Sequence, residues 1–256
     1  MIDESSPVVF TIDGSAAHIT LNRPAKRNAL NDAMVTGLTN ALHRARSEVG
    51  VRVVVITGAG QDFCAGADLE ALRKISEASV SANVEDVRSL MELFELIRQV
   101  PVPVVAAVRG RALAGGCGLA SACDLVVATS SARFGYPEVK IGFVPAMVLA
   151  ILKRNVSEKR AFELLTRGVE ISAEEAKQVG LVNQVFSDET FDDELNSYVG
   201  VFEKVSKSAV ALTKTLLHQT DGMAFTEALE TGVDVNVIAR MTEDCQKGIA
   251  RFTRKG

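Results

Sequence analysis

Three short runs rich in β-branched residues limit the folds open to this chain: VRVVVITG at 51–58, VPVVAAVRG at 102–110 and DLVVA at 124–128. Each is apolar on both faces, and the stretches between them carry apolar residues at helical spacing. Strands of that kind are sandwiched between layers of helices. Ahead of them, Val8, Phe10 and Ile12 alternate, Asp13-Gly14 supplies a turn, and Ile19 and Leu21 resume, which predicts a β-hairpin. A helix follows, capped by Asn31 or Asp32, with Met34, Leu38, Leu42 and Ala45 on one face.

Further helices are predicted at 84–99 and 114–122, and the apolar run from Ile141 to Leu152 reads as a buried helix. Beyond residue 145 the pattern is almost wholly helical. Ser157 and Ser172 each open a helical stretch, the second with Glu175 in a capping box closed by Gly180. LVNQVF at 181–186 reads as a short strand, and helical spacing then continues from Phe191 to Phe252 with a break at Asp221-Gly222. No repeat or low-complexity linker separates two units. The chain therefore reads as α/β: one core over 1–190 and a helical region over 191–256.

Charge excludes several partners. The 28 basic and 32 acidic residues form no like-charged block, so neither a nucleic-acid groove nor a polybasic membrane patch is expected. Charges also interrupt every apolar run before the roughly 18 residues that a spanning helix requires. The acidic opening MIDESSPVVF lacks the basic and apolar regions of a targeting segment, which points to the cytoplasm. Cys64, Cys117, Cys123 and Cys245 form no C-x-x-C pair, and His18, His43 and His218 are scattered, so no metal site is expected and the thiols read as reduced.

Two loops carry the chemistry. Phe63-Cys64-Ala65-Gly66-Ala67-Asp68-Leu69 and Gly110-Arg111-Ala112-Leu113-Ala114-Gly115-Gly116-Cys117-Gly118 put small residues where a strand ends and a helix begins, leaving backbone amides free to bind an oxygen. The GAG at 58–60 has Phe63 where a dinucleotide fingerprint needs its third glycine. Ser121 lies in no G-x-S-x-G elbow, which argues against a serine hydrolase.

With these loops, the ordered motifs NRPAKRNAL (22–30), ITGAGQDFCAGADL (56–69), PVVAAVRGRALAGGCGLASACDLVVA (103–128), FGYPEVKIGFVPA (134–146) and SAEEAKQVGLVNQV (172–185) resemble the enoyl-CoA hydratase/isomerase (crotonase) family over most of the chain. The resemblance implies a crotonase-like ββα spiral core with a helical C-terminal extension that closes the site and joins subunits, as a homotrimer or a hexamer built as a dimer of trimers. It implies an acyl-CoA thioester as substrate, with coenzyme A entering only as part of it. The amides of Ala67 and Gly115 are implied to bind the thioester oxygen, and Glu138 to act as acid/base. Arg23, Lys26 and Arg27 are implied to run beside the CoA pyrophosphate, with the backbone of Ala65 and Asp68 at the adenine.

One family residue is missing. The hydratases of the family use two glutamates, and the position of the first is Gly118 here. Hydration needs a base for water and an acid for the α-carbon, whereas moving a double bond from the 3- to the 2-position needs one carboxylate that lifts a proton from C2 and returns it at C4. Δ3,Δ2-enoyl-CoA isomerisation is therefore the expected reaction. The alternatives are hydration with one glutamate, or with a borrowed acid such as Asp68 or Tyr136, and a non-catalytic CoA-binding protein. Gly118 and Ala146 also lack the acids that the family's dienoyl-CoA isomerases and haloaroyl-CoA dehalogenases require at these places.

Overall fold

The three β-branched runs lie side by side as parallel strands within a six-stranded sheet. The computed structural model describes residues 6–254, without the Leu69 side chain; the opening Met1–Ser5, part of the stretch read as lacking a targeting segment, lies outside the described residues. The strands are β1 (Val8–Asp13), β2 (Ala16–Leu21), β3 (Val53–Gly58), β4 (Val104–Val108), β5 (Arg111–Leu113), β6 (Leu125–Thr129), β7 (Arg133–Gly135), β8 (Glu170–Ser172) and β9 (Gln184–Phe186). The larger sheet runs β1-β2-β3-β4-β6-β9, antiparallel only between β1 and β2, and a small second sheet runs β5-β7-β8.

Side-chain alternation divides the large sheet's two faces. Val54, Ile56, Val104, Ala106, Val108, Val126 and Ala128 enter the main core, and Val53, Val55, Val105, Ala107 and Val127 enter a second one. On the main side lie α1 (Asp32–Ser47), α3 (Val80–Gln99), which follows the short α2 (Leu69–Glu77), and α4 (Gly115–Ala122). Asn31 caps α1, its side chain accepting from Met34 N at 3.0 Å. The second face is covered by α8 (Phe191–Gly200) through Phe191, Leu195 and Val199.

In chain order, α5 (Ala146–Asn155), α6 (Glu158–Arg167) and α7 (Ala173–Gln178) come between α4 and α8, and their buried residues join the main core. The buried helix expected over Ile141–Leu152 is corrected: Ile141, Phe143 and Val144 are exposed, and the helix starts only at Ala146. Gly142 at φ 77° breaks the run, and Pro145 sits at the N-cap. The capping box at Ser172 is half made. Its hydroxyl accepts from Glu175 N at 3.1 Å, but the Glu175 carboxylate turns away to pair with Arg160. Ser157 precedes α6 without a side-chain capping bond.

The remaining helices are α9 (Lys207–Gln219), α10 (Phe225–Met241) and α11 (Glu243–Thr253), with the expected break at Gly222, φ 87°. Lys214 anchors α9 to the core. Its ammonium donates to Ile97 O at 2.8 Å, Val102 O at 3.1 Å and the Asp124 carboxylate at 2.6 Å, so all three N–H donors are used. Burial pulls the Lys214 pKa down against the opposing pull of Asp124. Among the described residues, no helix is long and apolar enough to cross a membrane, and no group of three His, Cys, Asp or Glu residues is placed to hold a metal.

Lys214→Met strands a largely buried carboxylate and two carbonyls, and removing one partner of a buried pair costs roughly 3 kcal/mol. The urea midpoint should fall accordingly with the slope unchanged; a loss under about 0.5 kcal/mol, the range of ordinary surface substitutions, would contradict the anchoring role.

Candidate active site

Two loops meet backbone to backbone. Cys64 N donates to Arg111 O at 3.1 Å and Leu113 N donates to Cys64 O at 2.9 Å, so the segment after β3 runs alongside β5 as a one-residue parallel bridge. Such proximity admits no side chain. A Cβ at Gly116 would lie 2.3 Å from Cys64 O, and one at Gly66 would lie 2.7 Å from the Ala114 Cβ and 3.6 Å from Gly115 N. Gly66, at φ 93°, thus brings its own loop against the start of α4.

On its other side the first loop is held by Leu30. Leu30 N donates to Gly66 O at 2.7 Å and Asp68 N donates to Leu30 O at 2.9 Å. Ala67 sits between these two bonds, and among the described residues its own amide has no acceptor. Gly115, the first residue of α4, has no acceptor for its amide either, as expected of a helix N-terminus. Ala114 before it adopts φ 50°, ψ −128°, a conformation that costs a non-glycine residue about 1–3 kcal/mol. Its N–H donates to Gly135 O at 2.8 Å and its carbonyl accepts from Gly118 N at 2.9 Å, bonds that hold the conformation in place.

The bond to Gly135 also sets Glu138. Pairing of β5 with β7 leads the chain into Tyr136 and a 3₁₀ turn over Pro137–Ile141, within electrostatic reach of Cys117 in the first turn of α4. Glu138 Oε2 is buried and, among the described residues, has no hydrogen-bond partner. Burial raises the Glu138 pKa above the ordinary carboxylate value. Two free amide donors and one carboxyl with an unpartnered oxygen can stabilise a developing oxyanion while a proton moves.

The other candidate acids are engaged. Tyr136 is buried, its hydroxyl 2.9 Å from Ser121 Oγ, and burial pushes its pKa well above 10.0. Ser121 in turn donates to Cys117 O at 2.7 Å, and burial pushes the Cys117 thiol up to about 12. Asp68 caps α2, accepting from Glu70 N at 3.0 Å, and pairs with Arg23 at 2.7 Å; these two bonds, the cap first, hold its pKa down. Gly118 faces an apolar wall: a Cβ there would lie 2.7 Å from Val148 Cγ2 and 3.6 Å from Phe94 Cζ.

Around the first loop, the residues matched to CoA contacts divide into two groups. Arg23 is committed to the protein, donating to Ala29 O at 2.8 Å as well as to Asp68. Lys26 and Arg27 are exposed and form no ion pair among the described residues. Ala65 N donates to Arg27 O at 3.0 Å, tying the basic turn to the glycine loop. Sequence reasoning missed Asn28, which is fully buried: its side chain donates to Ala59 O and Asp62 O at 2.9 and 2.7 Å and accepts from Arg23 N at 2.9 Å. Its φ of 54° is the one local signal, since asparagine tolerates the left-handed region.

The profile of a family described as Enoyl-CoA hydratase/isomerase matches residues 11–256. An assigned enoyl-CoA hydratase of Thermus thermophilus is 42% identical over 242 residues, 94% of this chain and 96% of the relative. The 2,3-dehydroadipyl-CoA hydratase of Escherichia coli K12 is 37% identical, covering 93% of this chain and 91% of its own. A crystal structure of a Mycobacterium smegmatis enoyl-CoA hydratase superposes with a TM-score of 0.93 at 33% identity, over 97% of this chain and 96% of the other.

The wall beside Gly118 makes a prediction about packing. Gly118→Glu should destabilise the protein by at least 1–3 kcal/mol, the usual cost of overpacking, and Val148→Ala added to it should recover part of that loss. Thermal unfolding of both variants checks this; independent, additive losses would show that the two positions do not compete for space.

Proposed function

The chain belongs to the enoyl-CoA hydratase/isomerase family of acyl-CoA enzymes, and from that premise we propose that it moves the double bond of a 3-enoyl-CoA to the 2-position. The observation that carries this reading is Glu138 Oε2: a buried carboxyl oxygen without a hydrogen-bond partner among the described residues, on a group whose pKa is raised by burial. In this mechanism the Ala67 and Gly115 amides receive the thioester oxygen as it becomes an enolate. Each such donor is worth roughly 3 kcal/mol in the transition state. Glu138 takes the proton from C2 and returns it at C4. A side chain at position 118 would meet Val148 Cγ2 at 2.7 Å from its Cβ, which supports proton transfer over hydration with a second glutamate.

Lys26 and Arg27, exposed and unpaired, are suited to the pyrophosphate of CoA, while Arg23 acts by holding Asp68 and the loop. Hydration with one glutamate is the second reading, favoured by the names of the relatives above. The apolar face of α10, with Phe225, Leu229, Val233, Val237 and Met241 exposed at four-residue spacing, suits contact with further copies of the chain in a trimer or a hexamer.

Assaying a 3-enoyl-CoA and crotonyl-CoA side by side tests the assignment: faster turnover of the 3-enoyl thioester is expected, and a preference for crotonyl-CoA would replace it with hydration. Glu138→Gln should lower turnover by about 10² to 10⁴; a near-native rate would remove Glu138 from the mechanism. Because Glu138 must be ionised to accept the proton, kcat/KM should fall as pH drops through a pKa above the ordinary 4.5, in the direction that burial sets. A profile flat down to pH 4.5 would contradict this.

A further inference from the structure

A cavity of about 950 Å³ lies between one face of α3 and one face of α5, floored by the C-terminal end of α4 and closed by the end of α9. Its near end is apolar and reaches the Gly118 position, three residues along α4 from Gly115: Phe94, which meets that position, lines it together with Met91, Ala146 and Met147. Its far end is polar and is built from three separate segments, α3, α5 and the end of α9. Arg98 Nε and Nη2 reach His218 Nδ1 at 3.0 and 2.8 Å, and both Arg98 and Arg154 share a single oxygen of Asp221.

Three features distinguish this end from a closed salt-bridge network. Arginine only donates, so His218 Nδ1 is an acceptor and the ring proton sits on Nε2. That N–H is buried without a hydrogen-bond partner among the described residues, with Asp124 Oδ1 at 3.6 Å. Pairing is also uneven. Arg98, Arg154 and Lys214 face Asp124 and Asp221, while Glu95 on the same wall is exposed and pairs with none of them among the described residues. Finally, the two guanidinium groups retain N–H donors beyond the one carboxylate oxygen that they share.

We propose that this polar end receives the far terminus of the acyl chain and that the preferred acyl group ends in a carboxylate. The inference rests on the acyl-CoA reading above. Gly115 and the end of α4 are separated by about 10 Å at the helical rise of roughly 1.5 Å per residue. An extended chain advances about 1.3 Å per carbon with bonds near 1.5 Å, so about eight carbons span the full distance and a six-carbon acyl group leaves roughly 2 to 3 Å for the arginine side chains to close. Its methylenes lie along Phe94 and Met147, and its terminal carboxylate meets Arg98, Arg154 and the His218 Nε2–H.

Saturated thioesters separate this inference from the reaction, because they neither hydrate nor isomerise. Calorimetric titration with hexanoyl-CoA and with the CoA monothioester of hexanedioic acid should show the dicarboxylic ligand binding at least tenfold more tightly. In Arg154→Gln, and separately in Arg98→Gln, that ratio should fall toward one. Equal affinities in the wild type, or a ratio that survives both substitutions, would overturn the proposal and leave the acyl-CoA reading standing. Failure of both thioesters to bind would overturn both.

Discussion

The site depends on one close approach, that of the Cys64–Ala67 segment to the start of α4. Backbone lies against backbone there: the Cys64 carbonyl occupies the space where a Gly116 side chain would begin, and Gly66 meets Ala114 in the same way. Glycine is required because the bridge between Cys64 and Ala112 fixes the separation before any side chain is considered. The result is two amides, Ala67 and Gly115, on adjoining loops and without acceptors among the described residues. Asn28 and Leu30 hold one loop from outside, and the Ala114–Gly135 bond holds the other.

That second bond links amide placement to acid placement, since the strand that accepts from Ala114 continues into Tyr136 and Glu138. The strained backbone of Ala114 is affordable because both its N–H and its carbonyl are bonded. Where the resemblance puts a second glutamate, the chain has a glycine whose Cβ position faces the apolar side chains of Val148 and Phe94. Burial of Glu138 itself accounts for its raised pKa. The same Phe94 also begins the cavity that runs toward Arg98 and Arg154.

The sequence made the long elements legible for physical reasons. β3, β4 and β6 are buried on both faces and therefore almost purely apolar, and α1 carries both its cap and its stripe. Three-residue strands such as β5, β7 and β8 are too short for a period of two to register, yet they aim Gly115 and Glu138. The run Ile141–Leu152 misled because apolar content alone does not reveal that Gly142 turns with positive φ ahead of Pro145. Asn28 was invisible because its meaning lies in carbonyls some thirty residues away. The cluster of Arg98, Arg154, His218 and Asp221 was equally hidden, its members coming from three distant stretches of chain.

The central claim, a single carboxylate moving one proton across an enolate, is tested most directly by isotope transfer. A 3-enoyl-CoA deuterated at C2 should yield a 2-enoyl-CoA carrying part of that deuterium at C4, because one buried group lifts and returns the same proton. Formation of a 3-hydroxyacyl-CoA as the main product, or no reaction of the 3-enoyl thioester, would contradict the account.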